Sequence, residues 1–278
     1  MNRTRSLALI CLLLCAAAWC APRGAWAQAA DASLPNSPAP AVQSSHPGDG
    51  KSFVGDVTWK ETPWNFLRDQ KAIWLSPGQL AKGRGWIPTL LVAGGTAGLI
   101  ASDPHTMPYF RDHARNLDDV NDVFDELTTT AEVVALPLSL MTAGYARHDS
   151  YMTSTALLAG EAYADAAVVD LVVKAVSRRE RPSEVPVGAS FDDTFFNGKE
   201  SQLKGSSFPS GHAATAFAVA TVVATRYKNH RWVPWAAYGF ATAVSLSRIT
   251  TSAHFPSDAF VGAALGYSVS RFQVLRPR

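Results

Sequence analysis

From Trp86 to the C-terminal end, the apolar residues of this chain recur in long runs with helical spacing, and no stretch between them alternates as a half-buried strand would. The runs are Thr89 to Ala101, Val120 to Tyr145, Thr153 to Val176, Ala213 to Tyr227, Trp235 to Ser247 and Ala259 to Phe272. This predicts an all-α fold, a bundle of about six helices over residues 86–278, without internal repeats. The first run should stop at Ser102-Asp103-Pro104, and the second should kink at Pro137, because proline removes a helix donor and crowds the preceding turn. A bilayer-spanning helix needs about 20 mostly apolar residues. Glu132 interrupts the second run, and Glu161, Asp165 and Asp170 interrupt the third, so the sequence favours helices that pack without crossing a membrane. Gly94-Gly95 and the alanine-rich faces leave membrane packing as the alternative.

Three segments precede the helices. Residues 1–27 have a basic start at Arg3 and Arg5 and an apolar stretch from Leu7 to Ala18. Ala25-Trp26-Ala27 then supplies small residues where a signal peptidase reads. A signal peptide cut before Gln28 is expected, with an uncleaved anchor as the alternative. Cys11, Cys15 and Cys20 all precede that cut, so neither disulfides nor thiolate metal sites are expected in the mature chain. Residues 28–53 are rich in Ala, Pro and Ser and read as a flexible linker. Residues 54–85 mix charges with Trp59, Trp64, Phe66, Ile73 and Trp74, an amphipathic segment for the helical domain or a membrane surface to cover. The expected location is the periplasm, soluble or membrane-associated, with the inner membrane as the alternative.

Charge narrows the partners. The chain has 25 Lys and Arg against 23 Asp and Glu. Arg3, Arg5 and Arg23 leave with the signal peptide, so 22 basic residues face 23 acidic ones, a net of −1. Nucleic-acid binding, which needs a broad basic face, is not expected. Any positive potential must be local.

The local cations occur in three clusters at predicted helix ends. Lys174 closes the third helix, and Arg181-Pro182 follows seven residues later. Both can converge on one anion, although cations also finish helices simply to complement the dipole. Ser206 to His212 reads Ser-Ser-Phe-Pro-Ser-Gly-His and opens the fourth helix. Its first-turn amides, near Ser210 and Gly211, form an anion site beside His212, or Ser210 simply caps the helix. Ser247-Arg248 ends the fifth helix, and His254 and Asp258 flank Pro256 at the start of the sixth. An i, i+4 spacing lets the carboxylate take one imidazole nitrogen and expose the other. The bland alternative is a first-turn acid beside a packed histidine. The other histidines, His46, His105, His113, His148 and His230, lack such neighbours and read as structural or solvated.

Taken together, Lys-x6-Arg-Pro, Pro-Ser-Gly-His and Ser-Arg-x5-His-x3-Asp, in this order, resemble the type 2 phosphatidic acid phosphatase superfamily. That group includes bacterial acid phosphatases, lipid phosphate phosphatases and vanadium haloperoxidases. The resemblance runs from about Thr153 to Phe272. It implies that His254 attacks phosphorus to form a phosphohistidine, that Asp258 orients it, and that His212 protonates the leaving oxygen. Lys174, Arg181, Arg248, Ser210 and the Gly211 amide would hold the phosphoryl oxygens. It also implies a substrate that is a phosphomonoester or lipid phosphate, such as phosphatidic acid or an isoprenoid phosphate or pyrophosphate, and no metal or other cofactor. The His254 to Asp258 stretch and Gly262-Ala263-Ala264-Leu265-Gly266 look like the lipid-phosphatase branch, whereas the export signal looks like a periplasmic acid phosphatase. Vanadate-dependent halide oxidation and non-catalytic phospholipid binding are the competing functions.

Overall fold

The computed structural model describes residues 57–80, 86–113, 126–197 and 206–276. The expected signal peptide and all of the linker lie outside these residues. The long helices are α1 (Thr62–Leu75), α2 (Trp86–His113), α3 (Glu126–Arg147), α4 (Ser150–Ser177), α5 (Gly211–Arg226), α6 (Trp232–Thr250) and α7 (Pro256–Val269). Helices α2 to α7 are the six of the bundle, and α1 belongs to the upstream amphipathic segment. The described residues contain no strand. None of their helices is long and apolar enough to cross a membrane.

Helix α4 starts at Asp149, whose carboxylate accepts from the Met152 amide at 3.0 Å. It is the central element with α5, and its buried Leu158, Ala159, Ala162, Ala166, Val169 and Val173 meet the small residues of α5. Small side chains let helices approach closely. The extreme case is α7 on α5: a Cβ on Gly262 would lie 2.4 Å from the Ser210 carbonyl oxygen, and one on Gly266 would lie 2.0 Å from that of Ala214. Only glycine fits at that crossing. The crossing seats the first turn of α7 against the first turn of α5, where the Ser210 amide donates to the Asp258 carbonyl at 3.0 Å.

Helix α1 docks on α4. Gln70 Nε2 donates to Asp165 Oδ1 at 2.8 Å, Trp74 Nε1 donates to Gln70 Oε1 at 3.0 Å, and Ile73 is buried. Trp59 and Trp64 of the same segment stay exposed. Asp69, Glu161 and Asp165, all buried, bring one carboxylate oxygen each within 4.8 Å of one another at this junction. Sequence reading treated the latter two only as interruptions of an apolar run.

One boundary expectation fails. Helix α2 does not stop at Ser102-Asp103-Pro104 but continues through Pro104 and Pro108 to His113. Tertiary anchors carry it past the prolines: Asp103 and Met107 are fully buried, and Arg111 donates to the carbonyls of Pro182 and Val185. Helix α3 carries Pro137, the expected kink position, inside a single helical span.

Candidate active site

The three sequence clusters meet at one end of the bundle. Helix α4 ends with Arg178 in the left-handed region at φ 40°, a conformation glycine usually supplies at helix ends. This turn sends the chain back across the end of α4 in extended form, with Arg181 at φ −75° and ψ 147°. The Ser183 amide then donates to the Ser252 carbonyl at 2.9 Å, which ties the Arg181 segment to the loop before α7. In that loop the Arg248 carbonyl accepts from the amides of Ala253 and His254, both at 3.0 Å, so that His254 folds back toward Arg248. The result is a cavity of about 180 Å³ lined by Leu171, Lys174, Arg181, His212, Arg248, Ala253 and His254.

His254 is almost fully buried, and its Nδ1 lies 2.6 Å from the Ser207 carbonyl oxygen. A carbonyl only accepts, so Nδ1 carries the proton and Nε2 of the neutral ring carries the lone pair. Burial pushes this imidazole below its ordinary pKa, with Lys174 and Arg181 pushing the same way and the Asp258 charge opposing them. The neutral ring is therefore favoured. His212, in the first turn of α5, has its Nε2 3.2 Å from the Thr130 hydroxyl of α3.

Lys174 is held by Asp170 one turn earlier, at 2.9 Å. Burial raises the Asp170 carboxyl pKa, and the Lys174 charge opposes that rise. Gly211 sits directly over this pair, since a Cβ there would lie 2.8 Å from Asp170 Oδ2 and 3.0 Å from Lys174 Nζ. Gly211 and His212 open α5, where first-turn amides point out of the helix. With the three cations, they give the cavity the charge and donors to hold a tetrahedral oxyanion.

Residues 155–276 match the PAP2 superfamily. A 64-residue stretch of the chain is 44% identical to the lipid A 1-phosphatase of Porphyromonas gingivalis, covering 23% of this chain and 14% of that protein. The chain thus matches only a small part of that relative's length. Among solved structures it is similar to a transmembrane PAP2-type phosphatidylglycerolphosphate phosphatase from Bacillus subtilis. There the TM-score is 0.40 and the identity 18%, over 76% of this chain and 92% of that one.

Five of the residues singled out by sequence line this cavity, and Gly211 adjoins it; two others are placed differently. Ser210 lies beneath the cavity floor, fully buried, its hydroxyl accepting from the Ala213 amide at 3.4 Å and its own amide spent on Asp258. It caps α5 instead of lining the anion site. Asp258 does not take the direct hydrogen bond expected of an i, i+4 pair. Its Oδ2 stands 3.7 Å from His254 Nδ1, too far for one, because the Ser207 carbonyl occupies that donor. Asp258 instead accepts from the Phe255 amide at 2.8 Å, from the Ser207 hydroxyl, and from Arg179 Nη1 at 2.7 Å.

Arg179, Asp103, Asp170, Ser207 and Thr130 were not recognised from sequence. Arg179 lies within Arg178-Arg179-Glu180-Arg181, where only Arg181 belongs to a sequence motif. Its position between Lys174 and Arg181 was the one available signal.

Proposed function

We propose that this chain is a phosphatase that hydrolyses the phosphate monoester of a lipid through a phosphohistidine on His254. The observation that carries the reading is a histidine whose Nδ1–H is fixed by a carbonyl at 2.6 Å, inside a cavity whose other polar walls are three cations and a second histidine. His254 Nε2 attacks phosphorus in line as the ester P–O bond breaks, and protonated His212 delivers its proton to the departing alkoxide. Lys174, Arg181 and Arg248, with the first amides of α5, balance the charge on the three equatorial oxygens. Water then attacks the phosphohistidine while neutral His212 takes its proton. The P–N bond breaks, inorganic phosphate leaves, and His254 recovers its lone pair. The 3.7 Å contact with Asp258 favours the imidazole while it carries positive charge.

A lipid substrate is favoured over a small soluble ester by an apolar groove of about 550 Å³ between α3, α5 and α6. On α5 its lining begins at Ala216, one turn beyond His212, and continues through Val219 and Val223. A hydrocarbon chain laid there would begin one helical turn from His212 of the cationic cavity. The name of the P. gingivalis relative, a lipid A 1-phosphatase, points the same way. The signal peptide expected at residues 1–27 is the reason to place the enzyme outside the cytoplasm, at a membrane surface.

Labelled phosphate trapped during turnover and quenched in alkali, where phosphohistidine survives, should map to His254. His254→Ala should abolish both label and turnover. Label on His212, or undiminished turnover without His254, would overturn the assignment.

A further inference from the structure

We propose that Arg179 is the positioning residue of the PAP2 site, holding Asp258 and the Ser207 carbonyl in the geometry that sets the His254 tautomer, with Asp103 of α2 as its outer anchor. The proposal rests on the catalytic reading of His254 given above.

Arg179 is 1% exposed, and every nitrogen of its guanidinium is engaged. Nε donates to the Thr194 hydroxyl at 3.0 Å. Nη1 donates to Asp258 Oδ1 and the Ser257 hydroxyl, both at 2.7 Å, and Nη2 donates to Asp103 Oδ2 at 2.7 Å. Its faces stack over Phe255 at 3.7 Å and Phe195 at 4.5 Å. A buried cation held by four hydrogen bonds and two carboxylates fixes its partners in place, since any movement of one leaves a charge unpaired.

Two connections lead from Arg179 to His254. Through its side chain, it neutralises Asp258, whose other oxygen takes the Ser207 hydroxyl and faces His254 Nδ1 at 3.7 Å. Through its backbone, its carbonyl accepts from the Ser207 amide at 2.8 Å, and its amide donates to the Ser206 hydroxyl at 3.0 Å. Ser207 is thus held on both its amide and its hydroxyl, and its carbonyl is left aimed at His254. The tautomer is therefore set by Arg179 at one remove. Arg179 does not line the cavity, so it acts on rate and not on anion binding.

Asp103 extends the arrangement. It accepts from Arg179, from the Ser257 hydroxyl and, at 3.3 Å, from the Ser257 amide in the first turn of α7. The groups facing Asp258 are Arg179 from the segment after α4, Asp103 from α2 and His254 from the loop before α7. Lys174 and Arg181 lie beyond the imidazole. Burial alone would raise the Asp258 pKa, but the Arg179 charge, with the contacts of His254 and Ser207, takes it below the usual carboxylate value. Without Arg179 that carboxyl takes up a proton at higher pH.

The test compares Arg179→Gln, Arg179→Lys, Asp258→Asn and the Arg179→Gln/Asp258→Asn double variant of the full chain. Turnover of p-nitrophenyl phosphate and a short-chain phosphatidate is measured with vanadate inhibition and thermal melting. Arg179→Gln should lower kcat by ~10²-fold or more with vanadate affinity changed less than ~3-fold, as loss of an orienting partner does. The acid limb of its kcat profile should move to higher pH, which a merely smaller folded fraction would not produce. Arg179→Lys, keeping the charge but not the fork, should recover about tenfold of that loss. If Arg179 acts through Asp258, the double variant should be no worse than Asp258→Asn by more than ~3-fold. Multiplying losses, equal damage to vanadate binding and rate, or an unshifted acid limb would each overturn the proposal. Should Arg179→Gln fail to fold, Ser257→Ala removes one partner of Nη1. A ~3–10-fold loss of kcat, with the same shift of the limb, is then expected, and a wild-type profile refutes the role. Persistent turnover by His254→Ala would instead sink the underlying phosphohistidine reading, whatever Arg179 does.

Discussion

Replacing Gly211 by alanine tests whether the Asp170–Lys174 pair is tuned to the anion site. The new methyl would sit 2.8 Å from Asp170 Oδ2 and 3.0 Å from Lys174 Nζ, in a turn where the backbone itself accepts alanine. Ordinary contact lies near 3.5 Å, so the pair must retreat by roughly 0.6 Å. Asp170 is buried, and the lysine, the longer and freer of the two, does most of the moving. Overpacking of this kind costs ~1–3 kcal/mol, and replacing a helical glycine returns ~0.5–1 kcal/mol, so folding stability should change little. The functional loss is larger. A hydrogen bond to a charged group contributes ~1.5–3 kcal/mol, and loss of the Lys174 contact to a phosphoryl oxygen would lower kcat/KM by ~10- to 150-fold. Steady-state kinetics, phosphate inhibition and a melting curve on the same preparation separate the two effects. Gly211→Ala with wild-type kcat/KM would show that neither the close approach nor the Lys174 position matters. A collapse of the melting temperature would show that the clash is paid for in folding.

Two further outcomes follow from the site. His254 has a folded-state pKa below its unfolded value of 6.5, because burial disfavours the cation. The unfolded chain therefore binds the extra proton first, and stability falls as pH drops through 6.5 toward the folded value. Nitrogen-15 shifts of the imidazole in the free enzyme should still report a neutral, Nδ1-protonated ring at pH 6.5, and a midpoint at or above that pH would contradict the burial argument. Turnover should survive EDTA and be inhibited by vanadate, since three cations surround the anion position. Activity lost on chelation and regained with magnesium or zinc would require a different mechanism.

The helical class and the convergence of the clusters were legible because they depend on side-chain periodicity and on residue types at helix ends. What sequence could not convey is the backbone's part. The acceptor for His254 is a carbonyl, which every residue has, so nothing marks Ser207 in advance. The turn that aims Arg179 inward uses a left-handed arginine at position 178 where glycine would have announced it. Asp103 looked like a helix terminator because Pro104 follows it; burial against Arg179 and Ser257 decides otherwise. Ser210 offered two meanings, ligand or cap, and the structure places it as the cap. Asp170 looked like a defect in an apolar face, yet it is the partner that fixes a cavity cation.

The superfamily match begins at residue 155, but the site does not. Asp103 and Thr130 lie upstream of it, on α2 and α3, and they touch the two ends of the chemistry: Arg179 and the start of α7 in one case, His212 in the other. A buried carboxylate that accepts from a guanidinium and from a helix start is not dispensable. Breaking such a pair costs ~3–5 kcal/mol, a large share of the ~5–15 kcal/mol that holds a domain folded. Residues 155–276 alone would therefore carry all three sequence motifs and still leave Arg179 with an uncovered nitrogen and His212 without its α3 hydroxyl. The motifs supply the groups that line the cavity, and the helices before them supply the order in which those groups are held.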